Sequence, residues 1–173
     1  MDPVEGRDGS LRDYHRPRRP GGMKELPESA CKAFLGAHRV GVMALAKGGD
    51  AYAVPLFYAY DGQALYFHSH PGEKDTFLQE THEGCFVVVD VHGDDDWTSV
   101  QATGRVGKVT LNADARRAFA AISENPFPPE FGIDTKGAPR HSSEKAYLWM
   151  MEPRKVTGRT SRSLVRLKGP RER

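Results

Sequence analysis

The chain has 173 residues, of which 38% are hydrophobic and 28% are charged, and its net charge is +2 at pH 7. This length suits a single domain with a hydrophobic core. Because no run of apolar residues is long enough to cross a bilayer, we do not expect a membrane-spanning helix. The first 22 residues lack the apolar stretch of a secretory signal, so a cytoplasmic location is expected. Two cysteines are too few for a disulfide framework or a structural zinc site.

The small net charge hides an uneven distribution along the chain. The last 20 residues contain eight Lys/Arg and one Asp/Glu, whereas residues 23–153 contain 12 and 18. A basic tail on an acidic body can attract nucleic acid or anionic lipid. No aromatic residue lies among these basic residues, so a solvated tail is the preferred interpretation. We expect a disordered segment at 1–22, a folded domain at 23–158 and a basic tail at 159–173.

Hydrophobic periodicity and turn signals predict three helices and six strands. The helices are expected at 27–38, 71–84 and 112–122, and the strands at 40–46, 52–60, 65–70, 85–91, 97–111 and 145–156. No strand–helix–strand unit repeats, which argues against a doubly wound nucleotide-binding fold. The pattern favours antiparallel strands closed into a small barrel, with the helices packed outside it.

The two strands around Asp61-Gly62 organise the chain. This dipeptide suits the positive φ angles of a two-residue hairpin. Gly104 and Gly107 indicate a bulge or a bend in a later strand. Because side chains alternate along a strand, residues two apart share a face. The predicted shared faces are Val54, Leu56, Tyr58 and Tyr60; Leu65 and Phe67; Tyr66 and His68; and Tyr147, Trp149 and Met151.

The end of the second of these strands carries groups that suit a phosphate. His68-Ser69-His70 ends the strand, and Pro71-Gly72-Glu73-Lys74 begins a helix. A helix start exposes unpaired N–H groups, and the helix dipole favours negative charge there. Together with the hydroxyls of Ser69 and Thr76 and the ammonium group of Lys74, this arrangement predicts a phosphate site. A sheet surface that ends at an anion site suits a flat ligand with a phosphate tail.

Other chemistries fit the sequence less well. Gly62, His68 and His70 have the spacing of the first metal motif of a cupin, and histidines two apart on a strand face the same way. The second histidine segment of a cupin is missing, so no metal site is expected. Residues 94–96 lack the ligand spacing of an EF-hand, and neither a G-x-S-x-G elbow nor a glycine-rich nucleotide fingerprint occurs. Segment 124–143, rich in proline and glycine, is expected to be a long functional loop such as a lid.

The stretch YAVPLFYAYDGQALYFHSHPGEK, residues 52–74, resembles the flavin-binding core of the pyridoxamine 5′-phosphate oxidase-like split barrels. It is most similar to the branch that contains the nitroimidazole-resistance (Nim) proteins. That branch has a V-P-L strand, an L-Y-F-H-S strand and a G-x-K turn in this order. The resemblance covers roughly residues 24–158. It implies a mainly β fold with flanking helices, a six-stranded antiparallel split β-barrel, and FMN bound at a homodimer interface.

The resemblance also implies which residues bind the FMN. The isoalloxazine ring is expected along the backbone of residues 53–58, with the phosphate at the start of the following helix. The partner subunit is expected to supply Ser99 or Gln101, with Trp97 or Trp149 as an apolar wall. The predicted cofactor-binding residues are Ala53, Val54, Pro55, Leu56, Tyr58, His68, Ser69, Lys74, Thr76, Ser99, Gln101 and Trp149.

Two departures from the vitamin B6 oxidases of the wider family limit the expected chemistry. Those enzymes have Arg-Lys at the phosphate turn, whereas this chain has Glu73-Lys74. They also hold the vitamin phosphate with a C-terminal segment that contains Trp and Arg, whereas residues 158–162 here contain no Trp. FMN binding is therefore expected, and vitamin B6 oxidation is not.

These considerations predict an FMN-dependent oxidoreductase that passes electrons from a nicotinamide or other donor to a small organic acceptor, with nitroaromatic compounds among the candidates. His68 is the titratable residue closest to the expected ring and is the candidate catalytic residue. The alternatives are a non-catalytic flavin-binding or storage protein, a haem-handling split barrel with His68 or His70 as axial ligand, and a cupin-like metalloprotein.

Overall fold

The computed structural model describes residues 22–69, 72–93, 96–110, 112–127 and 147–161. No helix in these ranges is both long enough and apolar enough to cross a membrane. His70, residues 128–146 and the two terminal segments lie outside them, so the expectations for these parts stay predictions. In chain order the elements are β1 (Lys24–Glu25), α1 (Glu28–Ala37), β2 (Val40–Lys47), β3 (Asp50–Tyr60), β4 (Leu65–Ser69), α2 (Glu73–Thr81), β5 (Glu83–Gly93), β6 (Asp96–Lys108), α3 (Asn112–Glu124) and β7 (Tyr147–Thr160).

Six of the strands close into an antiparallel barrel. They run in the order β7-β4-β3-β2-β5-β6, and β7 also pairs with β6, which completes the ring. The long strand β7 makes this closure possible, because its residues 147–151 pair with β4 and its residues 149–160 pair with β6. The predicted six-stranded split barrel is confirmed. The seventh strand, β1, adds only two residues, which pair with the end of β7.

The barrel interior holds the main hydrophobic core. Its largest side chains are fully buried, and each contributes roughly 1.5–3 kcal/mol by leaving water. The alternating faces predicted from the sequence are confirmed here, since β4 and β7 bury every second residue in this core. Core residues from these strands and from α1 include Leu65, Phe67, Trp149, Met151, Cys31, Phe34 and Leu35.

The hairpin between β3 and β4 differs from the predicted two-residue turn. The last paired residues are Tyr60 and Leu65, so the loop has four residues, 61–64. Gly62 has a φ of 89°, which confirms the need for glycine there. The Asp61 carboxylate accepts hydrogen bonds from the backbone N–H groups of Gln63 and Ala64, at 2.8 and 2.7 Å. The two-residue prediction was wrong because this side chain, rather than a tight backbone turn, closes the loop.

Helix α2 ends before the predicted stop near Gly84. His82 takes the left-handed conformation with a φ of 51°, and its N–H donates to the Leu78 carbonyl at 3.2 Å. A non-glycine residue therefore provides the C-terminal cap. Gly84 is needed for another reason, since a Cβ atom there would lie 2.9 Å from Met43 Sδ and 3.1 Å from Val106 Cγ2.

Strand β7 is longer than predicted, and it is bent. It continues through Thr160, so Arg159, assigned from the sequence to the basic tail, lies in the barrel. The β6–β7 register shifts between Thr103 and Gly104, which confirms the irregularity predicted at Gly104. This bend allows one strand to leave β4 and continue along β6.

Helix α3 covers one side of the barrel and forms a second, smaller core with it. Apolar residues of α3 and Phe127, just beyond its end, pack against outward-facing residues of β3 and β4. The buried members of this cluster are Ala59, Ala64, Tyr66, Ala118, Ala121 and Phe127. Tyr66 thus lies on the face opposite to Leu65 and Phe67, as predicted.

The outer face of β2 and β5 has no such cover among the described residues, and we call it the open face. Large apolar side chains are exposed there: Val40 by 49%, Val42 by 39%, Val89 by 53% and Val91 by 64%. Val42 and Val87 are direct cross-strand partners, so these side chains form one contiguous surface. An exposed apolar surface of this kind is typical of an interaction site.

Asp61 ties the β3–β4 hairpin to α3. Its Oδ2 atom accepts hydrogen bonds from the Tyr66 hydroxyl at 2.9 Å and from Nε and Nη2 of Arg117 at 3.0 and 2.8 Å. Burial alone would raise the pKa of the carboxyl group, but these bonds and those from the loop N–H groups outweigh it. The net pKa of Asp61 lies below its usual value.

We expect Asp61→Asn to lower the free energy of unfolding by about 1.5–3 kcal/mol at pH 7, because charged hydrogen bonds are lost. The folded-state pKa is depressed, so this contribution is present above the unfolded pKa of about 3.9 and is lost as the pH falls through the folded-state pKa. Urea denaturation between pH 7 and about pH 3 should show the two proteins converging in acid. Asp50→Asn, at an exposed position of the other hairpin, is the control. Equal losses in both variants would contradict the assignment.

Candidate functional site

The site begins with an unpaired strand edge. Strand β3 pairs with β2 along residues 50–57, but with β4 only at residues 58–60. The edge of β3 at residues 53–56 therefore has no neighbouring strand among the described residues. Pro55, which lacks an N–H group, lies in this part of the strand, as expected for a proline in a sheet. No strand in the described part of the chain pairs with the remaining backbone N–H and C=O groups on this side of β3.

A cleft of about 480 Å³ lies beside this edge, and we call it the apolar cleft. Its volume is in the usual range for small-molecule sites. It contains the V-P-L residues of β3 together with one histidine and one lysine. The residues that line it are Val40, Val54, Pro55, Leu56, Phe57, His68, Lys74 and Phe127. The structure thus brings together five of the twelve residues predicted from the sequence.

His68 occupies one side of the apolar cleft. It is half-buried on β4, on the outer face of the barrel, and its ring meets the ring of Phe127 edge-on with 5.2 Å between centroids. Phe127 follows α3, and sequence reasoning missed it because it belongs to a segment that gave only loop signals. Val40 was also missed, since the cross-strand register that places it here, opposite Phe57, is a property of the folded sheet. Phe57 lies within the stretch 53–58 that was expected along the ring.

Lys74 provides a cation at the other side. It lies in the first turn of α2 and is half-buried, and the loss of solvent lowers its pKa, while the nearby Asp75 carboxylate acts in the opposite direction. It forms no ion pair within the described part of the chain. A desolvated ammonium group at a helix start is a favourable place for a bound anion.

Ser69 and Thr76 do not line the apolar cleft. Ser69 is 1% exposed and donates a hydrogen bond from Oγ to Asp75 Oδ1 at 3.0 Å. It follows His68 on β4, and successive strand residues point to opposite faces. Thr76 is exposed on α2. Ser69 thus joins the end of β4 to the start of α2, which fixes the segment that carries Lys74.

Ala53 and Tyr58 lie on β3 but do not line the cleft with their side chains. Ala53 is exposed on the outer face. Tyr58 points into the barrel, where its hydroxyl donates to the Leu35 carbonyl at 2.7 Å and burial raises its pKa. Tyr58 can therefore contribute to a ligand only through its backbone.

A second cleft of about 620 Å³ lies on β6 and β7, and we call it the polar cleft. It contains three of the residues that were expected to reach a partner's cofactor, Trp97, Ser99 and Gln101. Its full lining is Glu25, Leu26, Trp97, Ser99, Gln101, Lys155, Val156, Thr157, Gly158 and Arg159. Trp149 is not among them. With 1% exposure in the barrel core, its side chain does not provide the expected apolar wall in this structure.

Both clefts adjoin the open face. The register of the sheet places Pro55 beside Val42, Val42 beside Val87, Val87 beside Gln101 and Gln101 beside Thr157. Cross-strand partners point to the same side, so these five residues form a row across the outside of the barrel. The row begins at the apolar cleft, crosses the exposed valines and ends in the polar cleft.

An antiparallel split barrel with a cleft beside a half-paired strand is typical of a class of cofactor-binding domains. Comparison with known proteins identifies the family. Residues 27–160 match the family described as pyridoxamine 5′-phosphate oxidase. This match covers more than half of the chain, and the chain belongs to that family.

Individual relatives are more distant. An uncharacterized protein, RA0666, from Rhizobium meliloti is 25% identical over 83 residues, which is 48% of this chain and 55% of the relative. The match thus spans about half the length of that relative. A FAD-binding protein from Mesorhizobium loti is 27% identical, with a TM-score of 0.62 and coverage of 80% of this chain and 96% of its own. A candidate 5-nitroimidazole antibiotic resistance protein from Bacteroides thetaiotaomicron is 22% identical, with a TM-score of 0.57 and coverage of 80% and 88%. The last of these likenesses shows the fold alone.

Proposed function

We propose that the protein is a dimeric flavoprotein that uses FMN or a closely related flavin to transfer electrons to a small organic acceptor. One observation carries the proposal: the apolar cleft combines an open strand edge, a half-buried histidine and a desolvated lysine. In a complex with FMN, the strand edge suits the flat ring, the histidine suits the reactive edge of the ring, and the lysine suits the phosphate. The likeness to a FAD-binding protein from Mesorhizobium loti supports a flavin as the class of ligand.

We expect the ring of the flavin to lie against the edge of β3. Val54, Pro55 and Leu56 give the cleft an apolar lining, and the backbone beside them supplies hydrogen-bond donors and acceptors at fixed positions. Such bonds to ring nitrogens and oxygens tune the electronics of a flavin, which supplies the redox chemistry when bound. The protein contributes the orientation of the ring and the exclusion of water.

We expect the phosphate of the flavin to lie beside Lys74. In the ligand-free protein the ammonium group has lost part of its hydration, and a phosphate replaces that hydration with a charge-assisted contact. The N–H groups at the start of α2 strengthen the same site. Binding of the anion also raises the pKa of Lys74 and so favours its charged form.

The open face supports a homodimer. A two-fold axis through the middle of the row, near Val42 and Val87, would bury the exposed valines against those of a second copy. The same rotation exchanges the ends of the row, so that each apolar cleft faces the polar cleft of the partner. Ser99 or Gln101 would then reach the flavin of the other subunit, as the resemblance implies.

The proposed reaction passes electrons from a reduced nicotinamide to the flavin and then to the acceptor, with nitroaromatic compounds as first candidates. His68 is the titratable side chain of the apolar cleft and the candidate for proton transfer to the acceptor. A cytoplasmic location suits the use of a nicotinamide donor. A flavin-storage protein would share the same cleft, and only turnover distinguishes it from an enzyme.

Lys74→Gln is expected to raise the Kd for FMN about 10- to 100-fold and to change the Kd for riboflavin, which lacks the phosphate, by less than about twofold. Quenching of flavin fluorescence measures both constants. Lys32→Gln, in α1 and outside the lining of the apolar cleft, is the control and should change neither. Without ligand, the Tm of the Lys74 variant should stay equal or rise, because a desolvated charge is removed. Equal weakening of both ligands would refute a phosphate at Lys74.

Val42→Glu and Val89→Glu should convert a dimer into a monomer, because each places a charge in the centre of the open face. Light scattering coupled to size-exclusion chromatography measures the mass. FMN affinity should fall at least about tenfold in parallel, because each flavin loses the partner's polar cleft. Phe119→Glu is a matched control, since Phe119 is an exposed apolar residue (45%) on α3. A wild-type monomer that binds FMN tightly would contradict the interface.

Anaerobic spectroscopy tests the proposed reaction. FMN-loaded protein should lose its visible flavin absorption on addition of NADH or NADPH and regain it when a nitroaromatic compound is added. His68→Gln should slow the reoxidation by about 100-fold and alter its dependence on pH. Flavin that binds but is not reduced would indicate storage. A protein that refuses FMN but develops a Soret band with haem would overturn the flavin assignment.

A further inference from the structure

The polar cleft has a composition that the flavin ring does not require. It contains two cations, Lys155 and Arg159, and neither forms an ion pair within the described ranges. It also contains one carboxylate, Glu25, and one indole, Trp97. Lys155 and Arg159 are four residues apart on β7 and lie on the same face, about 13 Å apart along the strand. The remaining polar groups are neutral hydroxyls and an amide.

The cleft is also held rigidly. The Trp97 N–H donates a hydrogen bond to Ser161 Oγ at 3.0 Å, and the Trp97 carbonyl accepts bonds from the Ser161 N–H and from Thr160 Oγ1 at 3.1 and 3.0 Å. Beneath it, the buried hydroxyls of Thr98 and Thr160 are 2.8 Å apart. A site whose walls are already ordered loses little entropy when a ligand binds.

The floor at Gly158 is equally fixed. A Cβ atom there would lie 2.7 Å from Cys31 Sγ and 3.0 Å from Leu26 Cδ1, so α1 and the segment before it pack directly on β7. The Leu26 N–H donates to the Gly158 carbonyl at 2.9 Å. This contact also holds β1, in which Glu25 is the direct cross-strand partner of Arg159.

We propose that the polar cleft binds the ADP portion of a dinucleotide. The two cations suit the diphosphate, because Arg and Lys bind phosphate oxygens with charge-assisted hydrogen bonds. Trp97 offers a flat surface for adenine, and Glu25 can accept a hydrogen bond from a ribose hydroxyl, a role that acidic residues have in other nucleotide sites. A simple anion would leave the carboxylate and the indole without a function. The volume of about 620 Å³ is sufficient for a nucleotide.

Two cellular dinucleotides carry this group. In FAD, the flavin would lie in the apolar cleft of one subunit and the ADP in the polar cleft of its partner. In NADH, the ADP would anchor an electron donor beside the flavin. Binding of ADP itself requires neither arrangement, whereas the choice between the two sources rests on the proposed flavin function.

Calorimetric titration with ADP tests the site directly. Lys155→Gln and Arg159→Gln should each raise the Kd for ADP by at least about tenfold. Arg105→Gln, an exposed arginine of β6 outside the cleft, is the matched control and should leave the Kd unchanged. AMP should bind more weakly than ADP in the wild type, since it has one phosphate fewer. No binding of ADP at millimolar concentration, or binding that the two cleft variants leave unchanged, would overturn the proposal.

The same variants distinguish the two sources. If the cofactor is FAD, the wild type binds FAD more tightly than FMN, and Arg159→Gln raises the Kd for FAD by a larger factor than the Kd for FMN, so that this difference disappears. If the ADP group bound in the polar cleft belongs instead to the electron donor NADH, FAD and FMN bind equally tightly. Arg159→Gln then raises the KM for NADH with kcat unchanged. FMN binding is measured on the same preparations. ADP binding without FMN binding would therefore refute the flavin function and leave the nucleotide site in place.

Discussion

The half-paired edge of β3 is the constraint on which the candidate site depends. Strand β4 pairs with β3 only through Leu65, Tyr66 and Phe67, whereas its last two residues pair with β7, so β4 does not cover β3 beyond Tyr58. Sheet edges with free backbone groups are normally protected, because they invite unspecific pairing. Here Pro55 removes one donor from the edge, and His68 and Lys74 flank it. The same geometry that opens the barrel thus shapes a site for a flat, hydrogen-bonding ligand.

The positions of the helices determine which outer surfaces of the barrel remain exposed. Helix α3 covers the outside of β3 and β4 near the hairpin, and the bonds between Asp61 and Arg117 fix it there. Its end places Phe127 against His68, so a contact far from the hairpin closes one side of the apolar cleft. No described helix covers the outer face of β2 and β5, and this leaves the valines of the open face exposed. The cover and the gap together determine which outer surfaces of the described strands stay exposed.

Sequence patterns determined most of the fold. The alternation in β4 and β7 and the glycine at the bend of β6 predicted strands, faces and an irregularity that the structure contains. Patterns within one segment could not predict the cross-strand register, which places Val40 and Phe57 at the apolar cleft. They also could not predict that Asp61 would close its loop with a side chain, or that His82 would adopt a left-handed conformation. Such details depend on tertiary partners distant in sequence.

The apolar cleft and the polar cleft have complementary compositions, which favours a dimer in which the apolar cleft of one subunit faces the polar cleft of the other. The apolar cleft offers an aliphatic surface with a single cation, whereas the polar cleft offers hydroxyls, an amide and two cations. A dimer in which each cleft faces the same cleft of the other subunit would place the two apolar clefts together. The hydrogen-bonding groups of the polar clefts would then have no contact with a ligand in the apolar cleft. The row from Pro55 to Thr157 instead has unlike ends, so in the proposed dimer a two-fold rotation about its middle would join each apolar cleft to a polar one. A ligand that has both an aromatic ring system and several polar or charged groups needs this combination, which one subunit provides only on opposite sides of its open face.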